Sequence, residues 1–152
     1  MRRSLVGNPF TDGPWQWGVI DTVHGSYSST LAAAAAVGAT SLSLTASPSV
    51  NDYLIVGANI ALRVISVTGT GPYTADIASE ITTAEASSTA VTAIKTCDVY
   101  LDGTQTLSDT AYLTPGVRWL VSYTPTANDV VIVARGTGGL RSDRLILGTV
   151  AV

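Results

Sequence analysis

Nine residues, Pro48-Ser49-Val50-Asn51-Asp52-Tyr53-Leu54-Ile55-Val56, return 77 positions later as Pro125-Thr126-Ala127-Asn128-Asp129-Val130-Val131-Ile132-Val133, five of the nine unchanged. Each copy reads as a short turn that feeds an apolar strand. Proline fixes φ, asparagine tolerates the left-handed region, aspartate bonds to nearby backbone, and a β-branched run follows. Two turn-and-strand units predict a chain made of two small β modules. Neither copy carries a catalytic group beside it, so the repeat speaks for scaffold rather than chemistry.

The composition limits what such modules do. Of 152 residues, 46% are apolar, enough for a core, while only 12% are charged, about half the ~25% of an ordinary soluble domain. Serine, threonine, alanine and glycine must therefore cover the surface. So little charge suits a protein packed against neighbours better than an isolated monomer. The net charge is −3 and Lys95 is the one lysine among eight basic residues. No basic stripe interleaves with aromatics, which argues against direct nucleic-acid binding. Leu5-Val6-Gly7 runs straight into Asn8-Pro9, so no secretory h-region is expected. No apolar run is long enough for a membrane helix. A cytosol-like setting, with exit by lysis, is the expectation.

Residues 1–14 are rich in Gly, Asn, Pro and Asp and read as an irregular arm, either a loose end or a segment that docks Leu5, Val6 and Phe10 on a neighbouring subunit. Alternation then places Trp15, Trp17, Val19, Asp21 and Val23 on one strand face, with Gly18 marking a bulge or a close approach. Residues 25–30 read as a polar linker. Ala32–Ala36 is the best helix former in the chain, too short to stand alone and stopped by Gly38. Strands are predicted at 39–46, at Ala61–Val67, at Tyr73–Ile77, at Cys97–Leu101, at 117–123, through the second repeat copy to Ala134, and at Arg144–Gly148. Residues 78–90 read as a long loop or one helical turn. Asp102-Gly103 and Gly136-Thr137-Gly138-Gly139 read as hairpin turns. About eight to ten short strands at such spacing predict an all-β sandwich or barrel.

Two stretches resemble one pattern when joined. They are Pro14-Trp15-Gln16-Trp17-Gly18-Val19-Ile20-Asp21-Thr22-Val23, and the series Asp98-Val99-Tyr100-Leu101-Asp102-Gly103, Trp119-Leu120-Val121-Ser122-Tyr123-Thr124-Pro125, Asn128–Arg135 and Asp143–Gly148. Together they are similar to the small OB-like β-barrel modules of tailed-phage virion proteins of the minor tail protein type. The stretch between them is similar to another recurrent phage element. Both repeat copies have Asn-Asp where that pattern has Gly-Asp. The resemblance implies an OB-like small β-barrel with an inserted second β module: an arm at 1–14, a discontinuous barrel at 15–24 plus 96–152, and the insertion at 25–95. It implies a structural virion protein at the tail tip or baseplate, assembled in the host cytoplasm. Its partners would be other virion proteins and copies of itself, a trimer among the options. The alternatives are a capsid decoration protein and, as a third class, a carbohydrate-binding module.

Residues able to do chemistry are few. His24 is the only histidine, in no nucleophile-elbow context, and reads as a turn histidine. Cys97, the only cysteine, reads as an inert buried thiol. Metal ligands do not cluster. Asp98, Asp102, Glu80 and Glu85 read as solvated loop or turn carboxylates rather than a glycosidase pair. No catalytic residue, metal, cofactor, small-molecule ligand, nucleic acid or membrane is expected. Trp15 and Trp17 sit either in a roomy core or on a surface that docks a neighbour or a sugar. The candidate interface set is Leu5, Val6, Phe10, Trp15, Trp17, Arg141 and Arg144.

Overall fold

In the computed structural model, residues 15–101, 113–135 and 144–150 are described. Eleven strands are named among them: β1 (Trp15–Val23), β2 (Ser28–Thr30), β3 (Ser41–Leu44), β4 (Tyr53–Val56), β5 (Asn59–Thr68), β6 (Tyr73–Ile77), β7 (Ala90–Ala93), β8 (Cys97–Leu101), β9 (Leu113–Trp119), β10 (Val130–Arg135) and β11 (Arg144–Thr149). The protein is all-β. The chain divides into two compact units, an inner one of His24–Lys95 and an outer one formed by the flanking segments Met1–Val23 and Thr96–Val152.

The outer unit is a closed five-stranded barrel in the order β1-β10-β11-β9-β8. Counted within the barrel alone, that order is 1-4-5-3-2, and only its third and fifth strands (β9 and β11) pair in parallel. This is the OB-like arrangement. Closure depends on β1, which pairs with β10 along Trp15–Val19 and with β8 along Gly18–Val23. Ile20, Val99, Val117, Val131, Val133 and Ile146 fill the interior. At Gly18 a side chain would put its β-carbon 2.5 Å from Val99 Cγ1 and 3.2 Å from the Tyr100 carbonyl oxygen. Only glycine lets β1 lie so close to β8, as the close-approach reading of this residue anticipates.

The inner unit is a curled six-stranded antiparallel sheet, β2-β7-β4-β5-β6-β3. Its two end strands meet at an isolated bridge between Leu31 and Leu44. There the Ala32 N–H donates to the Ser43 carbonyl (2.8 Å) and the Thr45 N–H to the Thr30 carbonyl (3.0 Å). The two ends of the sheet are thereby joined at this point, which shortens the exposed edges on which strands of other chains pair. Leu31, Leu42, Leu44, Leu54, Val64, Ile81 and Val91 form a core of its own.

Several sequence expectations need correction. The buried face of β1 carries Gln16, Gly18 and Ile20, opposite to the face that alternation assigns to Trp17 and Val19. A register shift between Ile20 and Thr22 then breaks the alternation. Residues 28–30, read as linker, are strand β2; their hydroxyls bond to Thr45, so polarity there reflects pairing rather than disorder. The alanine run, too short to stand alone as a helix, indeed forms none, and Ala35 bridges to Glu85 across two loops. Of the two readings of residues 78–90, the long loop holds for 78–89. The strand predicted at 117–123 lies at Leu113–Trp119 instead, and the Tyr123 N–H closes a turn onto the Leu120 carbonyl (3.0 Å). Strand β8 is buried at all five positions, so its alternating composition does not mark a solvated face.

Val23 and Cys97 are paired across the ladder that joins β1 to β8, so the two ends of the outer unit are about 5 Å apart. Excising His24–Lys95 and joining Val23 to Thr96 through a two-residue turn is therefore expected to leave a barrel that melts cooperatively. Near-ultraviolet circular dichroism through a thermal ramp checks this; a molten product would contradict it.

Candidate functional site

The repeated nonapeptide builds the same turn twice. Asn51 and Asn128 both adopt φ 71°, the left-handed region that asparagine tolerates better than most side chains. In the inner unit the Ser49 N–H donates to Asp52 Oδ2 (2.8 Å) and the Asp52 N–H to the Ser49 carbonyl (3.1 Å). In the outer unit the Thr126 N–H donates to Asp129 Oδ2 (2.9 Å) and the Asp129 N–H to the Thr126 carbonyl (3.1 Å). Each turn is then tied to the strand beside it by two backbone bonds. Asn51 N–H to the Val64 carbonyl (2.9 Å) and Val64 N–H to the Asp52 carbonyl (2.9 Å) attach the first to β5. Asn128 N–H to the Ile20 carbonyl (2.7 Å) and Ile20 N–H to the Asp129 carbonyl (3.0 Å) attach the second to β1.

The two copies differ in what else holds the carboxylate. Asp52 Oδ1 lies 2.8 Å from Nδ1 of His24, both side chains being at most 4% exposed. Asp129 Oδ2 accepts a short hydrogen bond from the phenol of Tyr123. Burial, then the bond to Asp129 and its charge, push the Tyr123 phenol well above the ordinary tyrosine range. The reading of His24 as an ordinary turn histidine is thus corrected to a buried one that braces a turn. An imidazole against a carboxylate is two-thirds of a hydrolytic triad, but a ring this deeply buried presents little surface to a substrate.

Other candidates resolve differently. Cys97 is fully buried, and its thiol is pushed up to about 12 by burial first and then by Asp98 and Asp129. It is a packed group, poor in thiolate at neutral pH. Asp98 is buried at 3% exposure, a correction to its reading as a solvated residue. Glu85 is half-buried and accepts from the Ala58 N–H (2.8 Å) and from Asn59 Nδ2 (3.2 Å), so it too has a structural task. Asn59 is saturated: its Oδ1 accepts from the Thr82 and Thr83 N–H groups (2.9 and 3.1 Å), and its Nδ2 also donates to the Thr83 carbonyl (2.8 Å). Among the described residues no three His, Cys, Asp or Glu side chains gather as a metal site. Nor is any helix long and apolar enough to cross a membrane.

Of the interface set, Leu5, Val6, Phe10 and Arg141 lie outside the described residues, as do Asp102-Gly103 and the Gly136–Gly139 turn. Trp15 opens β1 in register with Ala134. Trp17 is half-buried and is not among the residues of the barrel core, so of the two readings left open for it the roomy-core one does not hold. Arg144 begins β11, where the sequence places the final strand, and its Nη1 donates to Thr114 Oγ1 (2.9 Å) on β9. The structure adds apolar surface that sequence reasoning missed. Val121 is 103% and Leu120 40% exposed in the turn after β9, and Ile60 is 67% exposed at the start of β5. Both Leu120 and Val121 fall in a stretch that the sequence presents as strand, where alternation would have hidden one of them.

No family model, curated protein or solved structure matches the chain.

The turns make a quantitative expectation. Asp129→Ala removes the acceptor of the Thr126 N–H and of the Tyr123 phenol and should cost about 1–3 kcal/mol. Asp52→Ala also strands a buried imidazole and should cost about 3 kcal/mol or more. Urea unfolding of both variants checks the size and the order.

Proposed function

We propose that this chain is a non-enzymatic structural protein of a tailed-phage virion, placed at the tail tip or baseplate and assembling through protein–protein contacts. The observation that carries the reading is the correspondence between motif and strand. The segments that resemble the minor-tail-type module supply four of the five strands of the outer barrel, β1, β8, β10 and β11, and meet β9 at its last residue, Trp119. The segment between them, similar to a second phage element, supplies a sheet with its own core.

Three further features favour a mechanical role. Charged residues make up only 12% of the chain, and fully exposed aliphatics such as Val121 accompany that poor charge; both fit a surface that becomes covered on assembly. The only histidine is engaged in bracing a turn. The polar networks at Asn59 and at the two aspartates are directed to backbone groups of the same unit, which is how a scaffold spends its polar side chains.

Light scattering of the purified chain, with and without residues 1–14, tests the reading. A discrete small oligomer that weakens on truncation is the expected result. A monomer indifferent to truncation would count against assembly as its function.

A further inference from the structure

The two turns are built alike, yet one carboxylate is braced by an imidazole and the other by a phenol. That difference has a consequence across neutral pH. We propose that His24 and Asp52 form a pH-sensitive lock on the inner unit, tight while the imidazole is protonated and weaker once it is neutral.

The argument is geometric. Asp52 is held in place by the Ser49 N–H on Oδ2, and its Oδ1 lies 2.8 Å from His24 Nδ1. With both side chains at most 4% exposed, a carboxylate facing a neutral ring leaves one net negative charge in a poorly solvated place. A carboxylate facing an imidazolium leaves none. Protonation therefore relieves the cost of burying Asp52, and the turn that Asp52 caps is the one bonded to β5 through Asn51 and Val64.

Tyr27 and Lys95 are two further titratable groups of the inner unit near this pair. Burial, and to a smaller degree Asp52 itself, raise the Tyr27 phenol, which donates to the Ala46 carbonyl. Lys95 lies close by: a β-carbon on Gly25 would fall 2.8 Å from its Cα and Cγ. Histidine alone changes charge between about pH 5 and 8. In the outer unit the corresponding brace, Tyr123, keeps its proton throughout that range and provides an internal control.

The sign follows from linkage. If the folded state holds the imidazole proton more tightly than the unfolded chain does, the stabilisation is complete below about pH 6.5 and is lost as pH rises through the folded midpoint. The inner unit should loosen on the alkaline side while the outer barrel does not.

Two measurements on the intact chain test this. His24 is the only histidine, so its imidazole signals in a heteronuclear NMR titration are unambiguous. A midpoint clearly above about 6.5 is expected; a midpoint at or below that value overturns the proposal. The three tryptophans, at 15, 17 and 119, all belong to the outer unit, so tryptophan fluorescence follows the barrel while far-ultraviolet circular dichroism follows both. In urea at rising pH, the folding constant of the inner unit should fall about tenfold for each unit by which the midpoint is raised, with the fluorescence transition fixed. In His24→Gln that pH dependence should vanish. An equal fall in both units, or a dependence that survives His24→Gln, would show that the lock is not this pair. Should the variant fail to fold, the wild-type NMR midpoint alone still decides.

Discussion

One carboxylate oxygen, bonded to the N–H three residues upstream, sets the start of a strand in each half of this protein. Without that bond the turn at 48–52 or 125–129 would have to hold an asparagine at positive φ with only backbone contacts. With it, the turn offers one N–H and one carbonyl at fixed positions to the neighbouring strand, β5 in the inner unit and β1 in the outer. The register of the pairs Tyr53↔Arg63 and Val130↔Val19 follows from that anchor. A one-residue slip would move every side chain of β4 or β10 to the wrong face. Val56, Val131 and Val133, now fully buried, would then leave the cores.

Much of this was open to sequence reasoning. The repeat named the asparagine and aspartate that matter, the β-branched runs named β4, β5 and β10, and the turn spacing gave the all-β class. The resemblance anticipated an OB-like barrel, and the closed order with its single parallel pair is that arrangement. What stayed hidden has physical causes. Strand β2 is written in serine and threonine because its side chains bond across to Thr45, so no apolar alternation marks it. Which face of β1 is buried could not be read, because tryptophan outweighs glutamine and glycine in any hydrophobicity count. Gly18 is nevertheless the residue that must face β8, since nothing larger fits. His24 gave no local signal of its partner, which lies 28 residues away. Its role became visible only when the two turns were set side by side.

The same comparison links architecture to the functional proposal. Both units use the aspartate of the repeated turn to hold backbone, and both limit their exposed strand edges, one by closing a barrel and the other by bridging Leu31 to Leu44. Association by edge-to-edge strand pairing is thereby discouraged. Assembly would then have to proceed through side-chain surfaces, of which Val121, Ile60 and Val37 are the most exposed large apolar residues described. A poorly charged β protein with limited exposed edges is suited to stack against defined neighbours without polymerising by strand addition.

The central claim is that two copies of one aspartate-capped turn pin the two units. Native-state amide hydrogen exchange at Asn51, Val64, Asn128 and Ile20 tests it most directly, because these four N–H groups make the bonds between turn and strand. The account predicts that all four exchange as slowly as the core amides of their own unit, requiring its global opening. Exchange of either pair at the rate of an open loop, while the adjoining strands remain protected, would contradict it.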